Sequence, residues 1–181
     1  MNRLFLLGSA ALGLATVASP AMAESLNVTG TVAPYCNVNL ANVSSGTASI
    51  AMVGTQQVAN LRLSCNAASG TKLVVSVKNG DLLSNANGRI NYGLELKSPQ
   101  DASFVIAEHD TDPVGGENNL FFTRSRSGYT QAVATGIPLE LWLNMNVAVD
   151  QNQAPGSTNF PANAAPAGNY VEVFSFTATS V

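Results

Sequence analysis

Catalytic and metal-binding groups are sparse in this 181-residue sequence, which holds one histidine, two cysteines and a charged fraction of 10%. The lone His109 lies in the polar segment Glu108-His109-Asp110-Thr111-Asp112 and no Gly-x-Ser-x-Gly motif accompanies it, so nothing points to a Ser-His-Asp hydrolase. The acids of that segment lack the spaced glycine and closing bidentate glutamate of a calcium loop, and they read as a solvated loop. Basic residues number eight against eleven acidic ones, which argues against nucleic acid because a phosphate backbone demands a basic patch. Arg124 and Arg126, flanking Ser125, are ordinary exposed arginines. Without a Cys-x-x-Cys spacing there is no zinc or dithiol redox reading. We expect no enzymatic activity, no metal and no cofactor.

Beyond the first residues the sequence also lacks any apolar run long enough to span a bilayer. The stretch Met1 to Ala23 carries Arg3, an apolar segment from Leu4 to Val17 interrupted by Gly8, Ser9 and Gly13, and the small-residue site Ala21-Met22-Ala23. These are the three parts of a secretory signal peptide, and the apolar part is shorter than the roughly 20 residues of a membrane span. Cleavage before Glu24 leaves 158 residues, suited to one domain with a single core, and a formal charge of −4. Cys36 and Cys65 both survive. An even pair in an oxidising compartment favours a disulfide over two free buried thiols, and closing a loop of about 30 residues would contribute roughly 3 to 4 kcal/mol.

What the chain has in quantity is two-residue alternation. Ala59, Leu61, Leu63 and Cys65 alternate, as do Leu73, Val75 and Val77; Ile90, Tyr92, Leu94 and Leu96 follow the turn signal Asn87-Gly88; and Ile137 to Val149 place seven apolar residues at period two, which fits no helix. Lys78-Asn79-Gly80-Asp81, Asp112 to Gly116 and the Pro/Ala-rich stretch Gln151 to Gly168 supply turns and loops. No amphipathic helix, repeat or second domain is evident. Short strands around one core predict an all-β sandwich.

Both ends of the mature chain carry the same signal. At the C-terminal end Tyr170, Glu172, Phe174, Phe176 and Ala178 fall on one face of a continuous alternation, and a strand that ends a chain offers an edge for another to pair with. At the N-terminal end Leu26, Val28, Gly30 and Val32 alternate with Asn27, Thr29 and Thr31. This segment reads equally as the first strand of its own sandwich or as a donor strand for a neighbour. Its eleven residues, Glu24 to Pro34, extend about 35 Å at roughly 3.3 Å each, enough to cross a domain, with main-chain bonds supplying adhesion and alternate side chains the selectivity.

Four features together resemble the spore coat protein U-like family, whose best-understood members are subunits of archaic chaperone-usher pili. They are the alternating stretch ahead of the first cysteine, the Cys36 and Cys65 pair, the segment Ile137-Pro138-Leu139-Glu140-Leu141-Trp142, and the ending Pro166-Ala167-Gly168-Asn169-Tyr170-Val171-Glu172. The ending looks like that family's Gly-x-Tyr-x-Asp strand, with Glu172 in place of Asp; Trp142 stands where Tyr is commoner, and the chain ends Thr179-Ser180-Val181 without a terminal aromatic. The resemblance implies a pilin fold, an incomplete immunoglobulin-like β-sandwich completed by donor-strand exchange. Residues 1–23 would be the signal peptide, 24–34 the donor extension and 35–181 the sandwich. Leu26, Val28 and Val32 would enter apolar pockets, with Gly30 where the groove narrows. Tyr170, Glu172, Phe174, Phe176 and Ala178 would form one wall of the acceptor groove, opposite the strand holding Cys36.

The implied partners are a periplasmic chaperone, an outer-membrane usher and other pilus subunits, with passage through the periplasm to the cell surface and a role in adhesion or biofilm formation. The competing reading is a monomeric secreted or coat-type β-sandwich that contacts carbohydrate. Most aromatics, including Tyr92, Phe104, Phe121 and Phe122, read as core, leaving Tyr129 and Trp142 as candidates for exposed contact.

Overall fold

The computed structural model describes residues 28–41, 49–109, 111, 118–125, 134–147 and 158–181; the signal segment, Leu26, Asp110, Asp112, Arg126 and Tyr129 lie outside them. The chain divides into two compact units, Met1–Val32 and Ala33–Val181. In the first, the described residues 28–32 have no regular structure. Val28 and Val32 are 84% and 82% exposed, and the space around Gly30 is open.

The second unit is all β. Its first six strands are β1 (Cys36–Leu40), β2 (Thr55–Cys65), β3 (Gly70–Val77), β4 (Leu82–Ser84), β5 (Gly88–Ile90) and β6 (Gly93–Lys97). There follow β7 (Val105–Glu108), β8 (Asn118–Ser125), β9 (Ile137–Asn144), β10 (Thr158–Phe160), β11 (Tyr170–Val171) and β12 (Phe174–Ser180). One sheet has the order β1-β2-β9-β6-β7, a second β12-β3-β8, and a small third β10-β5-β4-β11. Pairing is antiparallel except between β10 and β5.

Period two sorts the side chains as the alternation requires. Leu61 and Leu63 of β2, Leu94 and Leu96 of β6, and Leu139, Leu141 and Leu143 of β9 point inward to meet Leu73, Val75 and Val77 of β3. These residues form one contiguous buried cluster, so the two larger sheets are the layers of a sandwich; the third adds Leu82 and Ile90 to the same core. Phe104 and Tyr92 are among its largest wholly buried members. Outward residues of β9 are half-buried and polar in company. Trp142 donates from Nε1 to Glu140 Oε2 at 3.1 Å and has Lys97 Nζ 5.0 Å from its ring centre, while Lys97 also pairs with Glu95 at 3.1 Å.

The expected staple is present. Cys36 and Cys65 are disulfide-bonded and stand directly opposite each other where β1 pairs with β2, their Cα atoms 4.0 Å apart.

Four expectations need correction. Ile90 to Leu96 is not one strand: β5 ends at Ile90 in the small sheet and β6 begins at Gly93 in the large one, although Ile90, Tyr92, Leu94 and Leu96 are all buried. The chain changes partners at Tyr92, whose carbonyl accepts from the backbone N–H and Oγ1 of Thr111, both at 3.0 Å. The C-terminal alternation is likewise cut into β11, paired with β4, and β12, paired with β3. The long run from Ile137 leaves the ladder at Asn144, although Met145 remains buried. Of the Pro/Ala-rich stretch, residues 151–157 lie outside the described residues, and in the remainder β10 and a 3-10 turn at Ala162–Ala164 interrupt the expected loop. The turn signals hold their backbone shapes, with Asn87 at φ 60° and Gly80 at φ 80°, the left-handed region that Gly and Asn tolerate best.

β1 is an edge strand laddered to β2 and packed beside β12, and the disulfide ties its first residue to the end of β2. Replacing both cysteines by serine is expected to lower unfolding stability by about 3 kcal/mol in urea titrations, the value for releasing a loop of this length.

Candidate functional site, a groove between two strand edges

In a constant-type immunoglobulin sandwich the strands order as A-B-E-D in one sheet and C-F-G in the other. Here β1-β2-β9-β6 follow the first order and β3 and β12 occupy the places of C and F. The place of G, beside β12, holds no strand among the described residues. Among the described residues β12 pairs only with β3 and β1 only with β2, so each leaves one backbone edge without a ladder there.

Where β1 ends at Leu40 and β12 begins at Phe174 a groove of about 660 Å³ opens beside those edges, while elsewhere along their length β1 and β12 lie close together. Val58, Leu82, Leu141 and Leu143 supply apolar surface within it; Leu40 of β1 and the adjoining Ile50 and Met52 line it as well, together with Tyr170, Phe174 and Phe176 from β11 and β12. Burial shows which side of the sandwich is open. At the opposite edge of the large sheet the inward Ile106 of β7 is buried, whereas Val38, Phe174, Phe176 and Ala178 are only half-buried and Leu40 is 44% exposed. The residues next to them in each sheet, Leu61 and Leu63 in β2 and Leu73, Val75 and Val77 in β3, are fully covered. The core is closed at its centre and thin along these two strands, which no further strand covers among the described residues.

Sequence pattern located Tyr170, Glu172, Phe174, Phe176 and Ala178 on one face. The structure keeps them there, all half-buried, across the break between β11 and β12. Tyr170, Phe174 and Phe176 line the groove; Ala178 packs on the core beyond it. Phe174 is anchored edge-on to the buried Tyr92, ring centres 5.9 Å apart. The opposite wall was expected from the strand holding Cys36, and Leu40 of that strand is where β1 meets the groove. The alternation overlooked Val58, Ile50 and Met52. Val58 sits where the register of β2 against β9 shifts between Gln57 and Ala59, so a strict period misses it. Ile50 and Met52 precede β2 in a stretch clamped by Gln56, whose amide accepts from Ala51 N at 2.9 Å and donates to Ala51 O at 2.6 Å.

Glu172 lines the groove but does more than form a wall. Its carboxylate accepts from the backbone N–H of Asn79, at 2.9 and 3.0 Å to its two oxygens, and of Val173 at 2.7 Å. The Asn79 side chain returns a bond to Val171 O at 3.1 Å, and Lys78 N donates to Val173 O at 3.1 Å. Burial pushes the Glu172 pKa above the usual glutamate range, against the opposing pull of amides at Val173, Asn79, Lys78 and Gly80. No family model matches the chain, and no curated protein matches it significantly. The groove and this junction therefore stand on their geometry.

The remaining candidate chemistry is dispersed. His109 is exposed at the end of β7, and no cluster of three or more His, Cys, Asp or Glu side chains with metal-binding geometry occurs among the described residues. No helix among those residues is long and apolar enough to cross a membrane. Phe121 and Phe122 fall in β8, whose side chains lie outside the description.

Tyr92 supplies a pH test of the core beneath the groove. Burial foremost, then the charges of Glu172 and Asp81, raise its phenol well above the ordinary value of about 10. An acid whose folded pKa is raised keeps its proton longer in the folded state, so its contribution is intact below the unfolded value and is lost as pH climbs past it. Stability measured by denaturant titration is expected to fall steeply above pH about 10, and Tyr92→Phe to flatten that decline.

Proposed function

We propose that this protein is a structural subunit of an extracellular chaperone-usher pilus, and that its sandwich is completed by the N-terminal strand of another subunit. The observation that carries the reading is the apolar groove beside the ends of β1 and β12, two edges that have no ladder on their outer side among the described residues, where a complete sandwich would carry a seventh strand. Two properties of the other unit support it. Val28 and Val32 hold apolar side chains in solvent, and with Leu26 they repeat at the spacing that puts every second residue of an added strand into a groove.

The energetics favour exchange. Burying Leu26, Val28 and Val32 contributes on the order of 6 kcal/mol by transfer values, from which the cost of ordering the extension is subtracted. The free backbone groups of β1 and β12 gain partners in the same event. An isolated subunit leaves that surface and those edges in water, an aggregation hazard that a periplasmic chaperone relieves by occupying the groove until an outer-membrane usher passes the subunit on. Export and the pilus role in adhesion or biofilm formation belong to this proposal, as does the kinship with spore coat protein U-like subunits suggested by the sequence motifs.

Deleting Glu24 to Thr31 is expected to yield a subunit that folds with its chaperone, runs as a monomer in unheated SDS gels and enters no fibre, whereas the intact chain gives SDS-resistant ladders. Normal fibres from the deletion would refute the assignment, and a chaperone-independent, fully stable monomer of the intact chain would favour a self-contained secreted sandwich.

A further inference from the structure

Among the described groove-lining residues Glu172 is the sole carboxylate, Tyr170 is the other titratable side chain, and neither lysine nor arginine is present. An apolar strand filling the groove therefore passes over one half-buried acid. The groups around that acid come from each neighbouring element. From the β3–β4 turn, Lys78 offers its backbone amide while its side chain is exposed, and the wholly buried Asp81 accepts from Thr111 Oγ1 at 3.2 Å. From β5, Arg89 directs Nη1 to Asn79 O at 2.9 Å. Between β5 and β6 lies the buried Tyr92, and in β11 the Tyr170 hydroxyl donates to Pro166 O at 3.1 Å. Across the groove β2 and β9 contribute Val58, Ala59, Leu141 and Leu143. No ion pair to Glu172 occurs among the described residues.

The carboxylate is thus held by amides, whose bonds are already made, beside the buried Tyr92, and its half-exposed part faces the groove. Covering the groove takes away that remaining exposure to solvent, and an apolar strand brings no cation in exchange. Loss of solvent without a compensating charge disfavours the ionised form. We propose that filling of the groove is coupled to protonation of Glu172, so that the subunit holds an incoming apolar strand more tightly in acid than at neutral pH. The coupling rests on the reading of the groove as a strand acceptor. By linkage it is reciprocal: the bound strand draws a proton onto Glu172, and the proton tightens the strand. The carboxyl is already biased in this direction by partial burial.

A blocked, dye-labelled peptide of residues Ser25 to Pro34 contains no ionisable side chain, so any pH dependence of its binding belongs to the protein. Fluorescence anisotropy with the full-length chain between pH 5 and 8 is expected to show affinity rising toward acid, up to about tenfold for each unit by which covering raises the carboxyl pKa. Glu172→Gln, a neutral isostere, is expected to bind tightly and without that dependence. An affinity flat with pH in the native chain, or the same slope in Glu172→Gln, overturns the coupling while leaving the acceptor groove intact. Absence of binding at every pH sinks the acceptor reading itself. Calorimetry of the native chain in two buffers of different ionisation enthalpy reads the proton directly, without a variant that must fold: net uptake on peptide binding supports the coupling, and zero uptake throughout the range excludes it.

Discussion

Two neighbouring strands whose outer backbone edges carry no ladder among the described residues are the constraint on which this molecule turns. Burying backbone amides and carbonyls unpaired costs free energy comparable to a lost hydrogen bond, and exposing them over an apolar floor invites another strand. β1 and β12 present such edges on the same side of the sandwich, each with a ladder on one side only. The half-buried state of Val38, Phe174 and Phe176 is the side-chain counterpart of the same deficit.

Two local devices hold the groove in shape while it lacks a strand. The disulfide fixes β1 to β2 at Cys36 and Cys65, so an edge strand of five residues stays in place with its other edge unpaired. Glu172 ties the β11–β12 junction to the Lys78–Asp81 turn, and Phe174 leans on Tyr92 immediately afterwards. Gly80 adopts the positive φ that lets this turn aim its amides at the carboxylate. A wall pinned at one end and laddered to β3 along its length keeps its outer edge extended.

Much of this was legible from residue order. Alternation at period two identified the inward residues of β2, β3, β6 and β9, and it placed Tyr170 through Ala178 on one face even though the chain changes sheets inside that span. It failed where a residue's partner, rather than its face, was in question. Ile90 and Leu94 share a phase yet belong to different sheets, because hydrophobic periodicity records whether a side chain meets the core and carries nothing about which strand lies alongside. Val58 escaped because a register shift breaks the period, and the joining of Glu172 to a turn 93 residues earlier in the chain follows from no local pattern.

The order of residues by itself determined an all-β chain, the inward set of each strand, the turns at Asn79-Gly80 and Asn87-Gly88, and the apolar repeat ahead of Cys36, because each depends on local sterics or on a two-residue period. Tertiary structure alone decided that Cys36 faces Cys65 across a ladder, that β1 and β12 lie at neighbouring edges with a groove opening beside their ends, and that Glu172 lines it. Those are facts of pairing between distant segments, settled by the packing of two sheets about one core.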